Sequence, residues 1–267
     1  MEYKLVAVDM DGTLLTPQLE ISKETVETIN RVIEKGVIFT LSTGRMYLAA
    51  MPFANMLNLD VPIITCNGAL IKCSKTGKVY DIKKIDKEHS SEIIRYCEEA
   101  GLSVSIYRED DIYIKKNSEN IDIHLQLDHA KPQIVNDFDT LLDGSIIKIM
   151  FNSSDKYNLD QQTRKLYELY KEELNFYFSL PHFVEIVHKG ANKRNALENL
   201  AIKFNIKREE IIAIGDNFND KDMIEYAGLG VAMGNAPDYL KDVAEFVTHS
   251  NDEDGVRYVL EKFILNG

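Results

Sequence analysis

Asp9-Met10-Asp11-Gly12-Thr13 follows directly on Leu5-Val6-Ala7-Val8, and this junction narrows the possible folds more than any other stretch of the chain. A short run of branched apolar residues without polar interruption reads as a strand buried on both faces, the kind found in helix-covered parallel sheets. Two carboxylates therefore stand at the carboxyl end of a buried strand, the edge where open parallel sheets bind ligands. Gly12 permits a sharp exit from the strand, and Thr13 adds a hydroxyl. Two acids, a glycine and a hydroxyl in this order suit a nucleophile beside a proton-transfer partner and a metal ion. The same residue types also make ordinary turns, so the remainder of the chain has to decide between the two.

The first eighty residues alternate strand and helix. A strand over 4–9 precedes a helix near 22–35, whose apolar face is Val26, Ile29, Val32 and Ile33. Ser22 is placed to cap that helix and Gly36 to end it. Val37-Ile38-Phe39-Thr40-Leu41 is a second buried strand ending on Ser42-Thr43-Gly44-Arg45, and a further helix runs to about Asn58 through Pro52. Val61-Pro62-Ile63-Ile64-Thr65 is a third strand ending at Cys66-Asn67-Gly68. Such alternation predicts right-handed crossovers and a parallel sheet.

The texture then changes. Residues 69–73 and 78–82 read as a hairpin around Lys75-Thr76-Gly77-Lys78. From 83 to 188 helices (87–100, 156–172) mix with short strands (103–107, 111–116, 145–151), punctuated by Asp and Asn. This stretch reads as an inserted α+β domain, with the tyrosines spread over 157–177 in its core. From 189 the alternation resumes: a helix near 192–204, the buried strand Ile211-Ile212-Ala213-Ile214, a helix near 220–226 and a strand over 229–232. A helix from Ala236, a strand near 246–248 and a terminal helix over 255–264 complete it. The expected architecture is α/β, with residues 1–82 and 189–267 as one core domain interrupted by 83–188.

Composition excludes several function classes. The 267 residues are 45% apolar and 28% charged, as in soluble globular proteins, and carry a formal net charge of −12. That charge disfavours nucleic acid and anionic membrane surfaces, which reward basic patches. Cys66, Cys73 and Cys97 are odd in number and widely spaced, so neither a zinc site nor a disulfide framework is expected. No apolar run approaches the ~20 residues of a membrane span, and the chain enters its first strand without a leader pattern. A cytoplasmic setting is the expectation.

Four polar segments line up. Three stand at the ends of predicted core strands: Asp9 with Asp11, Thr43 with Gly44, and Asp216 with Asn219 and Asp220. The fourth is Lys193, at the start of a predicted helix. Thr43-Gly44 alone is an ordinary strand-to-helix turn, and Lys193 alone an ordinary surface lysine. Gly215-Asp216-Asn217-Phe218-Asn219-Asp220, directly after a buried strand, reads as a site loop. Together the groups point to phosphoryl transfer. Several carboxylates without a histidine form a hard-oxygen site that suits magnesium. Hydroxyl and backbone N–H groups suit phosphate oxygens, and lysine supplies fixed positive charge for the transferring group.

At this point the chain resembles, over essentially its whole length, the Cof-like branch of the haloacid dehalogenase superfamily of phosphohydrolases. Asp9-Met10-Asp11-Gly12-Thr13-Leu14-Leu15 is similar to the first motif of that family, Thr43-Gly44-Arg45 to the second, and Lys193 within Gly190-Ala191-Asn192-Lys193 to the third. Gly215-Asp216-Asn217-Phe218-Asn219-Asp220 is similar to the fourth. Asn67-Gly68-Ala69 and Val231-Ala232-Met233-Gly234-Asn235-Ala236 also match the branch, whereas Arg194 stands where it commonly has glycine. The resemblance implies a Rossmann-like core with a large α+β cap inserted between the second and third motifs. It implies Asp9 as nucleophile and Asp11 as acid and then base. It implies Mg²⁺ held by Asp9, the Asp11 carbonyl, Asp216, Asn217 and Asp220, and phosphate held by Met10, Thr43, Gly44, Lys193 and Asn219. The expected activity is hydrolysis of a small phosphorylated substrate, sugar phosphates first, with no nucleic acid or membrane partner. Alternatives are a phosphomutase or phosphotransferase on sugar phosphates, and a ligand-binding regulator that keeps the fold without turnover.

Overall fold

The computed structural model describes residues 2–115 and 130–266. Its first part runs β1 (Leu5–Val8), α1 (Lys23–Glu34), β2 (Ile38–Leu41), α2 (Tyr47–Met56), β3 (Pro62–Thr65), β4 (Leu70–Cys73) and β5 (Val79–Ile82). Next come α3 (Lys87–Glu99), β6 (Ser103–Arg108), β7 (Asp111–Lys115), β8 (Gln133–Val135), β9 (Lys148–Asn152), α4 (Lys156–Tyr170), β10 (Leu174–Leu180) and β11 (Phe183–His188). The last part is α5 (Lys193–Lys203), β12 (Ile211–Gly215), α6 (Lys221–Tyr226), β13 (Leu229–Ala232), α7 (Asp238–Lys241), β14 (Phe246–Val247) and α8 (Gly255–Leu260). Position 116, the last of the expected strand over 111–116, lies outside the described residues, as does the stretch of the expected insert up to 129.

The central sheet is parallel, in the order β14-β13-β12-β1-β2. All four residues of β1 are buried, as its unbroken apolar sequence requires. Ser22 caps α1 by accepting the Thr25 N–H at 3.1 Å, and the chain leaves that helix through Gly36 at φ +85°, a conformation glycine adopts without a Cβ penalty. Register fixes where the strand ends meet. Val8 lies opposite Leu41 on one side and Ile214 on the other, so Asp9, Ser42-Thr43 and Gly215-Asp216 emerge side by side at one edge.

The third expected strand behaves differently. β3 meets the central sheet through a parallel bridge between Ser42 and Ile64, but its ladder is antiparallel, with β4 and then β5. Pro62 has no N–H to give to a neighbouring strand. Its carbonyl instead accepts the Thr40 hydroxyl at 2.7 Å.

A second sheet, in the order β10-β11-β9-β6-β7-β8, is antiparallel except for β7–β8. Strand alternation gives it two faces. Ile149, Phe151, Val184 and Ile186 pack with Ile93, Ile94, Cys97, Leu159 and Leu166 of α3 and α4. Met150, Phe183, Val187 and Tyr107 on the other face join the cluster that includes Val6, Val8 and Met10. The second sheet thus lies over the edge where Asp9 emerges. The turn between β6 and β7 adds a polar fastening: Lys72 of β4, nearly buried, reaches Glu109 at 2.8 Å and also Asp110. The tyrosines over 157–177 do not all enter a core. Tyr157 and Tyr167 are 76% and 47% exposed, because α4 turns only Leu159, Thr163 and Leu166 inward. No helix among the described residues is long and apolar enough to cross a membrane.

Candidate functional site

Asp9, 6% exposed, follows directly on β1, and the chain turns at Gly12. A side chain there would be excluded twice: φ is +79°, and an added Cβ would stand 2.4 Å from Asp216 Oδ2. The turn folds onto itself through the Met10 carbonyl, which accepts the N–H groups of Thr13 at 3.3 Å and Leu15 at 2.8 Å. Thr13 then donates its hydroxyl to Asp216 Oδ1 at 2.9 Å, tying the β1 loop to the β12 loop across 203 residues of sequence.

Lys193, the first residue of α5, enters from beside the loops. Its helix starts on Asn192, whose side chain accepts the Asn195 N–H at 2.7 Å. That start turns a lysine, 1% exposed, inward. Lys193 Nζ lies 2.5 Å from Asp9 Oδ1 and 2.5 Å from Asp220 Oδ1. The other Asp220 oxygen accepts the N–H groups of Asp216 and Asn217, each at 3.0 Å. Asp220 therefore shapes the Asp216 loop while it compensates the lysine.

Asp9, Asp216 and Asp220 each offer an oxygen within 4.8 Å of the others. Three acids thus meet one lysine in a poorly solvated space. Burial and then the Asp220 charge push Asp9 well above the usual carboxylate range, against the pull of Lys193. The same two causes raise Asp216 to about 6. Burial alone would lower the Lys193 ammonium, but Asp220 and Asp9 outweigh it and hold Lys193 above its ordinary value. Groups perturbed in this way by burial and a named charge mark candidate functional sites. The donor set is all oxygen, with an acid surplus, and this fits a hard divalent cation.

The other expected site residues lie around this cluster. Asp11 is turned outward and about half exposed, gripped by the Arg45 fork from Nε at 2.8 Å and from the terminal nitrogen at 2.5 Å. Thr43 is buried; its hydroxyl accepts the Arg45 N–H at 3.1 Å, and its carbonyl accepts the Asn67 N–H at 3.0 Å. An added Cβ at Gly44 would sit 3.1 Å from Asn67 Oδ1, so the glycine lets that amide come close. Asn219 donates from Nδ2 to Asn67 Oδ1 at 2.9 Å. Asn217 is exposed and accepts the Phe218 N–H at 2.7 Å, so its side chain serves its own turn. Arg194 lies over the Tyr226 ring at 5.6 Å.

Sequence reasoning missed three participants. Asn235 donates to the Gly12 carbonyl at 2.8 Å. Glu185 of β11, 3% exposed, accepts Asn67 Nδ2 at 3.2 Å. Lys148 of β9, fully buried, reaches the other Glu185 oxygen at 3.2 Å. The signal for Glu185 was present as a charge within the apolar run Phe183-Val184-Glu185-Ile186-Val187.

A model of the haloacid dehalogenase-like hydrolases matches residues 6–260 of the chain. A Bacillus subtilis protein named 5-amino-6-(5-phospho-D-ribitylamino)uracil phosphatase YwtE is 31% identical over 287 residues, covering 98% of this chain and 98% of its own. A haloacid dehalogenase-like hydrolase from Bacteroides thetaiotaomicron superposes with a TM-score of 0.90 at 32% identity, over 98% of this chain and 99% of its own. A further solved structure, described as a subclass IIB sugar phosphatase of the same superfamily, gives a TM-score of 0.82 at 25% identity. It covers 97% of this chain and 98% of that one.

Proposed function

The chain belongs to the haloacid dehalogenase-like hydrolase family and is a phosphoric monoester hydrolase; on that premise we propose that it hydrolyses small phosphorylated metabolites, sugar phosphates first, through an aspartyl-phosphate at Asp9 with Mg²⁺ bound beside it. The observation that carries this reading is the convergence of Asp9, Asp216 and Asp220, each offering an oxygen within 4.8 Å of the others, three acids against one lysine. A purely structural cluster gains nothing from surplus buried acid.

In this reading Asp9, the Asp11 carbonyl and Asp216 would hold Mg²⁺, with Asp220 fixing the loop and Asn217 at its margin. When bound, the cation would offset the repulsion between a carboxylate and a phosphate dianion. The Asp9 oxygen opposite Lys193 attacks phosphorus, and the bond from phosphorus to the ester oxygen breaks. The leaving oxygen takes its proton from Asp11. A water then gives its proton back to Asp11 and attacks the aspartyl-phosphate, releasing inorganic phosphate and restoring Asp9. The Met10 N–H, Thr43, Gly44, Lys193 and Asn219 hold the phosphoryl oxygens, with Lys193 supplying the fixed charge. The Arg45 fork sets the resting direction of Asp11. Residues 83–188 form a cap that encloses the leaving group. A phosphorylated ribityl chain in the name of one relative and the word sugar in the description of one neighbour both support a polyhydroxylated leaving group. A reducing, cytoplasmic setting suits the buried thiols of Cys66, Cys73 and Cys97.

The test is phosphate release from a panel of sugar phosphates, nucleotides, flavin mononucleotide and pyridoxal phosphate, with Mg²⁺ and with chelator. Turnover that requires Mg²⁺ and favours sugar phosphates supports the reading. Turnover unchanged by chelator contradicts it. Phosphoryl transfer to a second sugar in place of water points to a phosphotransferase.

A further inference from the structure

Lys148 and Glu185 form an ion pair on the face of the second sheet that packs toward Asp9, at 0% and 3% exposure. Stability does not account for it, because apolar residues of similar size replace such pairs at little or no cost. What the pair touches is more informative. Glu185 Oε2 accepts Asn67 Nδ2 at 3.2 Å, and Asn67 Oδ1 accepts Asn219 Nδ2 at 2.9 Å. Asn67 itself is 3% exposed and left-handed at φ 53°, a conformation asparagine tolerates better than most residues.

An amide fits into a hydrogen-bond chain in either of two orientations, and the neighbours select one. An ionised carboxylate only accepts. Facing Glu185, Asn67 must present its NH₂, so its oxygen faces Asn219. Asn219 must then present its own NH₂, with one hydrogen on Asn67 and the second left for another acceptor. One negative charge on the second sheet thereby fixes the polarity of two amides, ending beside the Asp9 cluster. Lys148 places a positive charge beside Glu185 in a dry place, and its ammonium lies over the Tyr107 ring at 4.1 Å.

We propose that Glu185 is a positioning residue for the phosphoryl group: acting through Asn67, it sets Asn219 as a hydrogen-bond donor toward phosphate when the second sheet is seated on the core. This rests on the reading of Asn219 as a phosphate-side residue in the proposed phosphatase. A glutamine at 185 fills the same space but donates or accepts equally well, so the polarity is lost while the shape is kept.

The probe is inorganic phosphate with Mg²⁺, titrated by ³¹P NMR into the full chain. The double variant Glu185→Gln with Lys148→Met removes both charges of the pair together. It should bind phosphate about tenfold more weakly, on the scale of one hydrogen bond, with an unchanged thermal midpoint. Asn67→Ala keeps the ion pair whole and should lose the same factor. In an Asn219→Ala background the Glu185 and Lys148 changes should have less than about a twofold further effect, since nothing remains to be oriented. Equal phosphate affinity in wild type and both variants would overturn the inference, as would a full tenfold loss persisting without Asn219. A wild-type protein that binds no phosphate with Mg²⁺ present would instead remove the phosphatase reading underneath.

Discussion

Two buried lysines show how differently one protein uses the same charge. Lys193 stands among Asp9, Asp216 and Asp220, three acids to one base. Among the described residues, Lys148 faces Glu185. In that pair each charge has a partner of the opposite sign, and the carboxylate is turned to orienting neutral amides. The unbalanced cluster is not complete: surplus acid in a poorly solvated place has to be met by protons or by a cation. The raised pKa values of Asp9 and Asp216 are the protonic answer. A divalent cation is the other, and phosphoryl transfer requires charge in the same place.

The comparison makes opposite predictions for single changes. Asp9→Asn removes one of three crowded acids and the proposed nucleophile together. Turnover should fall by ~10³ or more while the thermal midpoint holds or rises; near wild-type turnover from the folded variant would break the assignment. Lys148→Ala does the reverse. It leaves Glu185 buried without its ammonium and should destabilise the fold by about 3–5 kcal/mol. The Glu185→Gln, Lys148→Met double variant should recover most of that in chemical denaturation, and failure to recover would show that more than charge balance is at stake.

The smallest effect is on pH. Asp216 rises from the ordinary 3.8 to about 6, so without a cation the folded protein holds this proton more tightly than the unfolded chain. Its contribution to stability is present below the lower value and is lost as pH climbs through the higher one. Mg²⁺ has to displace this proton, so its affinity should decline as pH falls through about 6. A series of thermal melts with and without Mg²⁺ across that range checks both signs.

Much of this was readable in the chain. The parallel core follows from buried apolar runs that alternate with amphipathic helices, and parallel register brings Asp9, Thr43 and Asp216 together once the strands are recognised. Lys193 was harder, since a lysine opening a helix has the same local sequence whether it faces inward or outward. Its partners, 184 and 27 residues away, decide its direction. The Glu185–Asn67 contact depends on how the second sheet seats on the core, which no local pattern encodes. Pro62 was visible, but its effect on the third strand appears only when the neighbour's need for an N–H is known. The outward turn of Tyr157 and Tyr167 shows that aromatic content does not by itself select the buried face of a helix such as α4.

The most direct measurement is calorimetric titration of Mg²⁺ into the resting protein at neutral pH. Three chains would be compared: wild type, Asp216→Ala, and the Glu185→Gln, Lys148→Met double variant. The account predicts one Mg²⁺ site in the wild type and in the double variant, and its loss in Asp216→Ala. Equal binding by wild type and Asp216→Ala would contradict the claim that the surplus acid around Lys193 is a metal site.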